Sequence, residues 1–483
     1  MFKRWSAVTA VAVLLSVSFA VGAASASATT YANFNREAFQ YSSTLSTSQE
    51  ANRYQVMVLQ TPNTSLVASL HKANPRLKIL MYQDMLVSRS DDLSGNTVCT
   101  DYATDPSSWF IKSQNGSRIL LPGSKTSYLM DPGASGYQQA CMQHALALAQ
   151  AGGFDGVFFD GVASLLTLEL PSGTTSPKYP TSSSWQSAML SFLTYAGASA
   201  HAQHKLVVGA IAASTVSKGL WAQWTTPLDG SEEESFTDGG PGTAQQIPFW
   251  SQKLANVAWS EAHGKYAILH SYNTTVAGNT YGLASMMLVA GGYSSYSVSN
   301  ANYGASEAWY PEYTTAQQLG APSGAYRQLS SNGVYVRKFA NGIVLVNPTS
   351  RTIGTFSLGG TYSGSGYSNI KAVSMGPTSG LILLGSGPGP GTGPGTGQPR
   401  AKRATKAKPK RAAGCVIPRL KHLSLAKARR AIAKSHCRLG KVTRKRSLRR
   451  YRGRVLAQSP HARRRFEARK KINLTVGRGP GKR

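Results

Sequence analysis

From Thr29 to about Asn300 short apolar runs alternate with longer stretches in which apolar residues recur at helical spacing. The runs are TTYANFN (29–35), YQVMVLQ (ending at Gln60), LKILMYQ (77–83), GVFFDG (156–161), KLVVGAIA (205–212), DGSEEESF (229–236), YAILHSY (266–272) and MMLVAGGYSSYSV (286–298). Segments such as YQQACMQHALALAQAG and WQSAMLSFLTYAGASAHAQ lie between them and read as amphipathic helices. Strand–helix alternation predicts a parallel sheet with helices outside it. Eight strands in roughly 270 residues is the size of a (β/α)8 TIM barrel. An open doubly wound sheet is the alternative, but no glycine-rich nucleotide turn follows the first strand. The expected class is therefore α/β, with a barrel over residues 29–325.

The pattern then changes. GVYVRKFANGIVLVNPTS reads as two strands joined by an Ala-Asn-Gly turn, and TFSLGG and GLILLGS continue the strand-rich character. A small all-β domain, a β-sandwich over 326–384, is expected. Residues 385–414 are rich in Gly, Pro and Lys, cannot bury a core, and read as a disordered linker. Residues 415–483 form a last, small module.

Charge separates these regions. The formal net charge is +32, yet residues 400–483 hold 31 Lys and Arg against Glu467 alone, so the remaining chain is nearly neutral. A tail this basic fits anionic polymers, and for an exported protein wall polymers or lipid headgroups are expected before any specific nucleic acid. Export is expected from residues 1–28: Lys3 and Arg4, an apolar run from Val8, and a small-residue close at ASASA make a signal peptide. The apolar run is shorter than the ~20 residues that span a bilayer, so no transmembrane segment is expected in the mature chain. The predicted localisation is secreted, extracellular or cell-wall associated. Export permits disulfides, and pairing within each region would join Cys99 to Cys141 and Cys415 to Cys437.

The candidate chemistry lies at strand ends, where the active site of such a barrel sits. Asp160 follows strand four, and Glu232, Glu233 and Glu234 close strand six. Side chains alternate across a strand, so Glu232 and Glu234 share a face and Glu233 points the other way. Two carboxylates across one opening are the equipment of a glycoside hydrolase, one as nucleophile or base and the other as general acid. Asp-Gly at 160–161 also fits a turn, and three successive glutamates also fit a solvated patch. Tyr82 and Gln83 at the end of strand three, Glu232 on strand six, and His270 and Tyr272 at the end of strand seven are candidate sugar-binding groups. Asp131 reads as a loop anchor, Asp155 as a turn residue, and Trp109, Trp185, Trp250 and Trp309 as candidate stacking faces. Neither HExxH nor a histidine cluster occurs, so neither a metal nor a cofactor is expected.

The combination of YLMDPG, GVFFDGV, DGSEEESF and GVYVRKFANGIVLVNPT resembles the hypothetical glycosyl hydrolase 15 family over roughly Tyr31 to Leu384. That resemblance implies a TIM barrel, a C-terminal β-domain and carbohydrate-hydrolysing activity. Its strand-four aspartate falls on Asp160 and its strand-six glutamate on Glu234. CVIPRLKHLSLAKARRAIAKSHCRLGKV, then GRVLAQSP and INLTVGRG, resembles a PASTA domain, a small helix-plus-sheet module associated with peptidoglycan. This copy is more basic, and EARKKINL lacks the usual glycine before the last strand. The function expected on these grounds is a secreted bacterial polysaccharide hydrolase, with Asp160 as nucleophile or base and Glu234 as general acid/base. The alternative is a catalytically inactive carbohydrate- or wall-binding protein.

Overall fold

Eight parallel strands close into a barrel in chain order: β1 (Asn33–Ala38), β2 (Val56–Leu59), β3 (Lys78–Asp84), β4 (Gly156–Ala163), β5 (Leu206–Ala212), β6 (Gly230–Glu233), β7 (Tyr266–Ser271) and β8 (Ser294–Val298), with β8 returning to β1. The source is a computed structural model. It describes residues 31–39, 41–91, 96–212, 214–238, 249–299 and 309–390, and between 415 and 479 all but 419, 422, 436, 449–450, 461–464 and 467–470. The expected signal peptide, and the linker from residue 391 onward, lie outside the described residues. The chain divides into two compact units, one ending at Gly395 and the other starting at Thr396.

All eight predicted strands are present, and three of the boundary differences bear on the site or the barrel wall. β1 starts later and runs to Ala38, carrying Arg36 and Glu37 into the barrel wall. Met286 and Met287 end the helix Val276–Met287, and only Ser294–Val298 of their run is strand. β6 stops at Glu233, and Ser235 turns the chain with φ 57°, so Glu234 stands just past the strand.

Alternation sorts the strand residues into two layers. Val56, Val58, Leu80, Phe158, Val208, Ala210 and Ile268 fill the lumen. Met57, Ile79, Met81, Val157, Phe159, Val207 and Leu269 face outward, in one core with Phe192, Trp185 and Trp250 of the surrounding helices. Burying each such side chain stabilises by about 1.5–3 kcal/mol. The strands are near-continuously apolar because both of their faces are covered.

Between β3 and β4 the chain makes a long excursion, in which Val87–Arg89 pairs antiparallel with Ser127–Leu129. The expected disulfide Cys99–Cys141 ties it to the helix Ser135–Ala151 across a sequence separation of 42. In the chain-entropy account a cross-link of that span restricts the unfolded state by about 4 kcal/mol.

The β-rich region after the barrel is one six-stranded antiparallel sheet, not the two facing sheets of a sandwich. The physical reason is the covering available to it. One face joins the barrel's outer core through Phe339, Val344, Val346 and Ile382. The strand Ser379–Ser386 crosses the helix Val276–Met287 so closely that a Cβ on Gly380 would meet the Ala284 Cβ at 2.7 Å and the Thr280 carbonyl at 2.8 Å. The helix thus does the work of a second sheet, while Ile343, Leu345, Tyr362 and Leu383 form a small core on the other face. That last strand includes Gly385 and Ser386, two residues beyond the expected linker boundary.

The second unit is α+β. The helix Leu425–Lys434 accompanies a three-stranded sheet of Arg438–Lys445, Lys471–Gly477 and Val455–Ser459. Its core comprises Ile417, Leu420, Ala428, Ile432, Val455, Ile472, Leu474 and Val476. Cys437 is disulfide-bonded, and the side chain of Cys415, its expected partner, lies outside the described ones. Among the described residues no helix is long and apolar enough to cross a membrane.

Candidate active site

Asp160 stands in β4 itself, not in a turn. The ladder to β5 shifts register between Phe159 and Val162, and Gly161 supplies the bulge at φ +75°. A Cβ there would lie 2.5 Å from the Leu86 Cβ and 2.8 Å from Asp84 Oδ1, so only glycine fits. The bulge aims the carboxylate and fastens it at both oxygens. The Gly161 amide donates to Oδ1 at 2.6 Å, and the Tyr82 hydroxyl donates to Oδ2 at 2.8 Å. Burial and the carboxylates around it raise the Tyr82 hydroxyl far above its ordinary range, so it remains a proton donor.

Asp84 lies directly across the ladder from Asp160. Its Oδ1 accepts the Leu86 amide at 2.8 Å, and burial followed by the charge of Asp160 pushes it up to about 7. Glu169, on the short helix after β4, is raised for the same two reasons.

The three glutamates of β6 divide three ways. Glu233 faces outward as alternation predicts, 3.0 Å from the Lys253 ammonium and accepting from the Ser214 hydroxyl. Glu232 faces the lumen, buried, and is hydrogen-bonded to Glu37 of β1. Burial first and Glu37 second raise Glu232 well above the usual carboxylate range, while burial pushes Glu37 up to about 7. Glu234 is exposed and accepts a hydrogen bond from the Tyr272 hydroxyl. His270 lies under Tyr272 with ring centroids 4.9 Å apart, its nitrogens 3.1 Å from Ser297 Oγ and 3.2 Å from Ser299 Oγ. Burial lowers His270 to about 4, so it is neutral at ordinary pH.

These groups form one cluster. Asp160 and Glu234 each raise both Glu37 and Glu232 electrostatically, which places the two predicted catalytic carboxylates around a shared pair of buried acids. Tyr82, Glu232, His270 and Tyr272 belong to it. Gln83 does not: it faces the opposite side of β3 from Tyr82, is fully buried, and donates to the Asn96 carbonyl at 3.0 Å. Asp131 anchors a loop through Lys178, Tyr179 and the Gly133 amide. Asp155 binds Lys78, His71 and the Ile79 amide. Trp185 and Trp250 are core, and Trp309 packs beneath the Arg53 guanidinium.

Sequence reasoning missed Glu37 because its strand was ended at Asn35. The signal was the alternation Asn33, Asn35, Glu37, a polar lumen face opposite the buried Phe34 and Ala38. Glu37, Glu232 and His270 each offer a ligand atom within 4.8 Å of the others, and all three are buried. No local spacing announces that group, since its members come from three strands.

The model of hypothetical glycosyl hydrolase family 15 matches residues 71–343, more than half of the chain. No curated protein matches it. Among solved structures, a Paenibacillus cycloisomaltooligosaccharide glucanotransferase is 11% identical with a TM-score of 0.37, over 75% of this chain and 55% of that one. A maltogenic α-amylase from Thermotoga neapolitana is 10% identical with a TM-score of 0.41, over 73% and 96% of the two chains. A β-L-arabinopyranosidase from Geobacillus stearothermophilus is 12% identical with a TM-score of 0.40, over 76% and 98%.

Proposed function

The chain belongs to hypothetical glycosyl hydrolase family 15, and from that premise we propose that it hydrolyses glycosidic bonds of a polysaccharide at the mouth of the barrel. One observation carries the residue assignment: Asp160 and Glu234, from β4 and the end of β6, both bear on the buried Glu37–Glu232 pair. Asp160, fixed at both oxygens, acts as the nucleophile or base. Glu234, exposed beside Tyr272, gives its proton to the leaving oxygen and recovers one from water. Asp160, close to the reacting ring in this reading, favours the positive charge that develops on the sugar in the transition state.

The first 28 residues direct export in this reading. The basic 415–483 module, which resembles a PASTA domain, then retains the protein on peptidoglycan or anionic wall polymers. The segregation of 31 basic residues into 400–483 supports that role.

The test is a screen of wall and extracellular polysaccharides for new reducing ends, using protein without its signal beside Asp160→Asn and Glu234→Gln. Each variant should lose on the order of 10³-fold in rate while melting like the parent. Equal release by parent and variants removes these residues from the mechanism. Binding without release identifies a carbohydrate-binding protein. Deleting 400–483 should leave barrel melting unchanged and release the protein from wall material; undiminished retention refutes the anchoring role.

A further inference from the structure

Glu37 and Glu232 present a problem that their hydrogen bond does not solve. Two carboxyl groups face each other in the lumen with relative exposures of 8% and 3%, and neither has a cationic side chain beside it in the contacts described. Each also keeps one oxygen, Glu37 Oε1 and Glu232 Oε1, that is buried with no hydrogen-bond partner. A buried acceptor left unmatched costs about 1–3 kcal/mol. A proton held between the two acids bridges one oxygen of each and leaves the other two stranded.

The third member of the group removes the difficulty. His270 is 1% exposed, and its ligand atom lies within 4.8 Å of those of both glutamates. One ring nitrogen can turn to a ligand while the other keeps its serine, Ser297 or Ser299. Holding a metal-ligating imidazole through its second nitrogen is how proteins orient such rings. Ions of the zinc class sit about 2.0–2.2 Å from nitrogen and carboxylate ligands in tetrahedral geometry, which sets their ligand atoms about 3.4 Å apart. The three side chains, whose ligand atoms lie within 4.8 Å of one another, draw together by at most about 1.4 Å on binding.

We propose that Glu37, Glu232 and His270 form a divalent-cation site at the floor of the barrel mouth. One imidazole and two carboxylates suit a first-row transition ion such as Zn²⁺ or Mn²⁺ over Mg²⁺ or Ca²⁺, which prefer all-oxygen shells. Three protein ligands leave coordination positions for water or a sugar hydroxyl. The site contradicts the expectation from sequence that no metal is bound. It does not depend on which carboxylates perform hydrolysis.

The full chain, stripped with EDTA and dialysed, is titrated by calorimetry with ZnCl₂, MnCl₂ and MgCl₂ separately. One equivalent of Zn²⁺ or Mn²⁺ should bind saturably, with Mg²⁺ much weaker. Affinity should fall at least about tenfold in Glu37→Gln and in His270→Gln, and should hold in His204→Gln, which tests an exposed imidazole. Melting in EDTA identifies any variant that does not fold; His270→Gln leaves the carboxyl pair intact and stands in for Glu37→Gln in that case. No binding at one equivalent, or equal affinity in the folded site variants, overturns the proposal. The readout involves no polysaccharide, so its failure is separate from failure of the hydrolase reading.

Discussion

Arg36 and Glu37 are neighbours on β1, and Glu232 and Glu233 are neighbours on β6, yet the two faces of these strands treat charge in opposite ways. On the outer face of these two strands charge is paired: Arg36 meets Glu50, and Glu233 meets Lys253. Arg36 also donates to the Ser42 carbonyl, and Lys253 to the Ser235 carbonyl at 2.5 Å. Inside the lumen, one residue along in each case, Glu37 and Glu232 meet each other. The outer pairs close their own charge and stitch helices to strands. The lumen pair leaves its charge open to whatever enters the mouth.

The largest effect expected from breaking this contrast is on the outer face. Lys253→Met removes the cation but leaves Glu233 buried at 2% exposure, and should cost about 3–5 kcal/mol in urea unfolding. Glu232→Gln does the reverse. It removes a buried acid from a like-charged partner and keeps an amide able to donate to Glu37, so in EDTA its stability should stay within about 1 kcal/mol of the parent or rise. If Glu232→Gln proves as costly as Lys253→Met, the lumen pair is structural and the contrast fails.

The same contrast explains what could be read in advance. Apolar runs located most of the barrel strands because both faces of β2, β3, β4, β5 and β7 are largely apolar, and such runs are hard to disguise. Asp160 was legible because Asp-Gly interrupts such a run, although its conformation, a bulge inside the strand, was not. Glu233 could be assigned outward by alternation alone. Glu37 was harder to place, since NFNREA carries little apolar signal and only the polar alternation Asn33, Asn35, Glu37 marks the strand's continuation past Asn35. The grouping of Glu37, Glu232 and His270 depends on barrel closure, which joins the first strand to the last and lies beyond any local window. The single six-stranded sheet was missed for a related reason: its cover is a helix encoded before it in the chain, not a second set of strands.

A smaller effect sharpens the comparison from the β3–β4 side of the mouth. Asp84 is held up to about 7, against an ordinary 3.8, by burial and by Asp160 across the ladder, with Glu169 adding to the rise and the Leu86 and Val87 amides opposing it. Tyr82 and Tyr137 are the other titrating groups that feel it, and both stay protonated well above this range. The folded chain therefore keeps a proton on Asp84 that the unfolded chain releases between about pH 4 and 7. The resulting contribution is fully present below the unfolded value and is lost as pH rises through the folded one. Glu37 and Asp238 are also raised, so the parent's slope alone assigns nothing. The difference between parent and Asp84→Asn does: the parent should lose stability across that window relative to a variant whose amide cannot ionise. Urea midpoints at pH 4, 5.5 and 7 would show it, and parallel curves would mean that Asp84 keeps an ordinary acidity. Such a result would leave Asp84 ionised at neutral pH, adding its negative charge beside Asp160 on the β3–β4 side of the mouth.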